Sequence, residues 1–200
     1  TDGSKVYFIG NDASINSGYQ LFVLDPSDDS VTQLTEVGNG GSFIHADGCS
    51  ANQCHWMEFL GDLVLFSGRE VDAEGNIAGG DSMFAYDTSD STLTQVTDTR
   101  PGSYDDIRDV NLIGTTLYFT AESDGPGNTA VRNLWTTDGT ASGTNIVSSL
   151  AHSSGSYNSY EHPMKIHELD GTLFTWAFVD GYGSELVHSQ SVVTTVSYSY

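Results

Sequence analysis

The sequence predicts an all-β fold, and three observations lead there: composition, alternating apolar patterning and an internal repeat. The 200 residues include 9 Phe, 10 Tyr, 3 Trp and 22 Gly, with Thr, Ser and Val frequent and few apolar residues at helical spacing. β-branched and aromatic side chains suit a pleated, half-buried surface better than a helix. Low hydropathy with high net charge is also a mark of disorder, but here the aromatics sit in regular alternating clusters.

The repeat defines the architecture. Four segments align, Leu21 to Thr35, Met83 to Thr97, Leu134 to Ser148 and the more divergent Leu186 to Tyr198. They recur about every 50 to 60 residues, and the first three place Asp25, Asp87 and Asp138 at one position. An aromatic strand precedes each: Val6 to Ile9, Leu63 to Phe66, Leu117 to Thr120 and Leu173 to Trp176. Before the last three comes another apolar run ending in a tight turn, at Met57 to Asp62, Val110 to Thr115 and Ile166 to Gly171. The unit is therefore a four-stranded antiparallel meander of about 50 residues, the size and plan of one β-propeller blade. The expected fold is a four-unit β-propeller-like array forming a single domain over 1–200. Its units fall near 1–45, 55–105, 106–155 and 160–200.

Unit one lacks its opening strand, because only Thr1 to Lys5 precede Val6. The C-terminal tail alternates well through Val192, Val193, Thr194, Thr195, Val196, Tyr198 and Tyr200. Either it fills the vacancy from the other terminus, or it is the last strand of unit four and unit one keeps an open edge. A terminal strand and an open edge together are what strand addition between copies requires, so these residues form a candidate assembly strand. Asp25, Asp87 and Asp138, with Gly139, are expected to be structural turn residues. Each carboxylate there can accept from backbone N–H groups two or three residues on.

Unit three reads Asn133-Leu-Trp-Thr-Thr-Asp-Gly-Thr-Ala-Ser-Gly-Thr144. It resembles the ELWxxDGTxxGT-type repeats of large secreted bacterial surface proteins. Leu134, Trp135, Asp138, Gly139, Thr140, Gly143 and Thr144 fit, while Asn133 stands where that repeat has Glu. The match is confined to this unit; units one and two depart to Leu-Phe-Val-Leu-Asp25 and Met-Phe-Ala-Tyr-Asp87. The resemblance implies propeller blades, an extracellular or cell-surface location and a structural or binding role. It brings no catalytic residues.

Charge narrows the partners. With 27 Asp plus Glu against 6 Lys plus Arg, the formal net charge is −21, which makes nucleic acid and anionic membrane surfaces poor partners. No apolar run approaches the ~20 residues of a membrane-spanning helix. Cations, neutral sugars, basic proteins, or further copies at screening salt are the partners left. Cys49 and Cys54 are best read as a disulfide closing a short loop, in an oxidising compartment. Zinc held with His45 or His55, or two free thiols, are the alternatives. Thr1 suggests a removed leader, and no Asn-x-Ser/Thr sequon is present.

Catalytic patterns are absent: no GxSxG, no HExxH, no phosphate-binding Gly loop. No cofactor is expected apart from a Ca²⁺ alternative. For that ion, Asp28-Asp29, Asp105-Asp106 with Asp109, and Asp72-Ala-Glu-Gly-Asn76 offer oxygens, though none in EF-hand register. A hydrated acidic surface is the simpler reading. Glu58, Glu168 and Glu185 are the only candidates for a hydrolase carboxylate pair. Loop tyrosines Tyr157, Tyr160 and Tyr182 are candidates for stacking on sugars or anchoring a partner. The expectation is a non-catalytic structural or adhesive module that self-associates into an oligomer, filament or surface array. A carbohydrate-binding propeller is the alternative, and a glycoside hydrolase or lyase the third reading.

Overall fold

A computed structural model describes residues 3–12, 18–37, 42–44, 56–125, 130–148, 166–170, 172–179, 183–189 and 196–198. The described residues are all-β, with no α-helix among them, and the strands form four antiparallel sheets. Sheet one runs β1 (Val6–Asn11), β2 (Tyr19–Asp25), β3 (Ser30–Gln33). Sheet two runs β4 (Met57–Leu60), β5 (Leu63–Val71), β6 (Ile77–Asp87), β7 (Leu93–Gln95). Sheet three is β8 (Arg108–Ile113), β9 (Thr116–Asp124), β10 (Ala130–Thr137), β11 (Asn145–Ser148). Sheet four is β12 (His167–Leu169), β13 (Thr172–Val179), β14 (Gly183–Ser189), β15 (Val196–Tyr198).

Each sheet is a meander in chain order, and among the described residues sheet one has three strands where the others have four. The hairpins joining first to second strands need a left-handed residue at the turn, supplied by Gly61 (φ 62°), Gly114 (φ 62°) and Asp170 (φ 51°). Aspartate is tolerated there because its short polar side chain can bond locally. The tail takes the second of its two alternatives. Val196–Tyr198 pairs with β14, as Val187↔Tyr198 and Ser189↔Val196, and so completes sheet four. Val192 to Thr195 and Tyr200 lie outside the described residues.

The chain divides into two compact regions, Thr1–Tyr104 and Asp105–Tyr200, each holding two sheets. In the first, Leu21, Phe43, Ile44, Val64, Phe66, Phe84 and Tyr86 form one buried cluster. Phe43 is its hub, edge-on to Phe84 at 4.9 Å and to Phe66 at 5.9 Å between ring centres. Ring pairs of this kind add to the burial of apolar area. In the second region Tyr118, Leu134, Ile166 and Leu173 are buried together across sheets three and four. Both faces of the second and third strands are buried in sheets two and three, as apolar runs without alternation require.

Candidate functional site

The recurring aspartates close the turn between the last two strands of sheets one, two and three by one mechanism. Asp25 Oδ1 accepts from the Ser27 N–H (2.9 Å) and hydroxyl (2.6 Å); Asp87 Oδ1 accepts from Ser89 N–H (2.8 Å) and hydroxyl (2.6 Å). Asp138 Oδ1 accepts the same pair of bonds from Thr140, at 3.0 and 2.7 Å. These bonds favour the ionised form. The Ser89 hydroxyl therefore holds the Asp87 carboxyl below the usual range, and the Thr140 hydroxyl does the same at Asp138. Gly139 N donates to Thr137 Oγ1 at 3.0 Å. At Gly143, a Cβ would lie 2.0 Å from Asp138 Oδ1, so this carboxylate and a side chain at 143 exclude one another.

Beneath the turns of sheets one and two lies a second repeated device. Thr35 Oγ1 accepts from Leu21 N (3.0 Å), and Thr97 Oγ1 accepts from Met83 N (2.8 Å). Gln33 Nε2 donates to Thr35 O (2.7 Å), as Gln95 Nε2 does to Thr97 O (2.9 Å). Both threonines are buried, so each satisfies a strand N–H that water cannot reach.

The densest polar grouping not foreseen from sequence is a charged cluster in sheet three. Arg132 on β10 is 7% exposed; directly opposite on β9 stands Glu122, 4% exposed. Arg132 Nη1 donates to Asp106 O (2.9 Å) and Thr120 Oγ1 (3.2 Å), and Nη2 meets the Asp106 and Glu122 carboxylates, the latter at 3.6 Å. Arg108 Nε donates to Asp106 Oδ1 at 2.9 Å, and Thr120 Oγ1 donates to Asp109 Oδ2 at 3.2 Å. Burial holds the Arg132 guanidinium below the usual arginine range, with Asp106 opposing that shift. The signal for this cluster was available: the chain has only 6 basic residues, and three of its arginines sit on strands.

The other sequence-predicted residues are placed as follows. Asp106 and Asp109, offered above as Ca²⁺ oxygens, face arginines and a hydroxyl of the chain itself. Asp72 closes its own loop, accepting from Asn76 N (2.8 Å), Glu74 N (3.0 Å) and the Asn76 side chain; the Asn76 bonds hold its carboxyl below the usual range. Asp28 Oδ1 accepts from Ser30 N at 2.9 Å. Among the described residues, no three His, Cys, Asp or Glu side chains form a group that could hold a metal. Glu58 lies on β4 and Glu168 on β12, in different compact regions, and Glu185 on β14. Cys49, Cys54, Tyr157, Tyr160 and Tyr182 lie outside the described residues. Exposed apolar side chains on strands include Val31 (58%) on β3 and Ile146 (50%) on β11, each the outer strand of its sheet.

The class defined so far is an all-β chain of four successive antiparallel meander sheets. No protein-family model matches the chain, and no curated protein matches it. Similar solved structures include TolB from Acinetobacter baumannii, 14% identical over 94% of this chain and 38% of that one, TM-score 0.47. The Pyrococcus horikoshii acylaminoacyl peptidase is 14% identical over 93% of this chain and 24% of its own, TM-score 0.47. The β-propeller domain of the trilobed protease from Pyrococcus furiosus, described as having an open velcro topology, is 12% identical over 94% and 76%, TM-score 0.40. The chain spans well under half the length of the first two.

Proposed function

We propose that the chain is a β-propeller-type repeat module, acting outside the cell in adhesion or assembly rather than in catalysis, and that it self-associates through sheet edges. The observation that carries this reading is the pair of outer strands, β3 and β11, that present Val31 and Ile146 to solvent. An outer strand with exposed β-branched residues is a template for another strand. The polar residues that recur between units, Asp25, Asp87, Asp138, Thr35 and Thr97, are all engaged within their own sheets, which favours a scaffold over a repeated catalytic site. The extracellular setting rests on the resemblance of unit three. At −21 the chains repel one another, so association belongs to salt concentrations that screen the charge.

Light scattering over a salt and concentration series tests the proposal. The chain is expected to gain mass as salt rises, with V31K/I146K losing that gain. A full-length chain that stays monomeric at every salt concentration removes self-association.

A further inference from the structure

We propose that an inverted pair of charges, placed between the second and third strands of sheets two and three, is a pairing code that stops strands of one sheet from being exchanged for their counterparts in the other. In sheet two, Arg69 on β5 stands directly opposite Asp81 on β6. In sheet three the equivalent positions carry Glu122 on β9 and Arg132 on β10, with the polarity reversed. Equivalence follows from the registers, because the aromatic pairs Phe66↔Phe84 and Phe119↔Trp135 each lie three residues along the ladder from the charged pair.

The neighbouring pairs show why such a code is needed. A chimeric pairing of β5 with β10 places Phe66 opposite Trp135 and Ser67 opposite Leu134. The converse, β9 with β6, places Phe119 opposite Phe84 and Thr120 opposite Met83. Every one of these contacts is as acceptable as the native one, since each matches aromatic with aromatic and hydroxyl with aliphatic. At these positions apolar packing does little to choose between partners, although farther along the ladder β10 would also bring Val131 to the crowded Gly80 position. The charged row does choose. In the first chimera Arg69 meets Arg132, and in the second Glu122 meets Asp81. Like charges directly opposite on a ladder are destabilising, and more so where Asp81, Glu122 and Arg132 are each less than a tenth exposed. Exchange of quasi-equivalent elements, within a chain or between copies, is the characteristic failure of repeat proteins, and a misplaced charge is an effective device against it. This inference is independent of the edge-association reading above. Exchanged species form only on passage through the unfolded state and persist on dilution, whereas edge-docked chains respond to salt.

The test is refolding of the full chain from urea at low salt, with the yield of native monomer and of persistent dimer measured by light scattering after chromatography. R69E/D81R gives sheet two the polarity of sheet three, so both chimeras become complementary while the native pair stays matched. R69Q/D81N removes both like-charge conflicts with smaller steric change. The expected result is that misassembled species rise about tenfold in R69E/D81R and by less in R69Q/D81N. Native monomer yield equal to that of the parent in both variants overturns the proposal. So does a loss confined to R69Q/D81N, which would reflect local damage. If R69E/D81R does not fold, R69Q/D81N decides alone: a rise supports the code, and parent-like yield ends it.

Discussion

Sheets two and three share one skeleton and differ where something approaches them from outside. Both are four-stranded meanders with the same register through the middle pair of strands and the same aspartate opening the last turn. In sheet two the strand position at Gly80 lies against backbone: a Cβ there would fall 1.6 Å from Ser103 O. Sheet three has Val131 at the matching position, beside a segment that instead delivers Asp106 to Arg132. The repeat therefore dictates register, and the stretch between β7 and β8 meets the two third strands differently: Ser103 crowds β6 at Gly80, whereas Asp106 pairs with Arg132 on β10.

Six substitutions probe this difference, in order of falling cost. R132M leaves Glu122 and Asp106 without their buried cation, and is expected to cost about 3–5 kcal/mol in urea unfolding. G80V forces Ser103 away from β6 and should cost about 3 kcal/mol; V131G, the reverse exchange in sheet three, should cost only about 1 kcal/mol. Equal costs for these two would mean that the sheets are not distinguished by the approaching segment. T97V strands the buried Met83 N–H and should cost about 1–2 kcal/mol. T35V likewise strands the buried Leu21 N–H and removes the donation to Gln20 Oε1 (2.9 Å), at about 1–2 kcal/mol.

The smallest effect concerns pH. Asp87 is held below its ordinary value in the folded chain, so its contribution is present above the unfolded carboxylate range and is lost as pH falls through the lower folded value. D87N should lower the melting temperature slightly at neutral pH and flatten its acid dependence; an unaltered acid limb would remove Asp87 from the account. Its partial exposure to solvent keeps the effect small.

Much of this fold is legible in the sequence because strand alternation and turn chemistry are local. The four meanders and the Asp25, Asp87 and Asp138 turns follow from residues within a few positions of one another. What depends on distant partners does not. Phe43 and Ile44 are fully buried, yet they stand beside the Gly-rich stretch that reads as a loop. β6 begins at Ile77 and runs through Gly79-Gly80, which by composition marks a turn; only the close approach of Ser103 explains the glycine. Arg132 and Glu122 are ten residues apart in a chain full of acids. Alternation assigns them a face but cannot show that the face is buried, nor that Asp106 arrives beside it. Asp106 and Asp109 look like cation ligands for the same reason: Arg108 stands two residues from Asp106, but nothing nearby in sequence reveals the second arginine, Arg132.

Sheets two and three are separate meanders of equivalent register. Cross-strand backbone NOEs on the labelled chain test it most directly. Contacts linking Phe66 with Phe84 and Phe119 with Trp135 are expected; contacts linking Phe66 with Trp135, or helical amide–amide contacts along β5 or β9, would overturn this assignment.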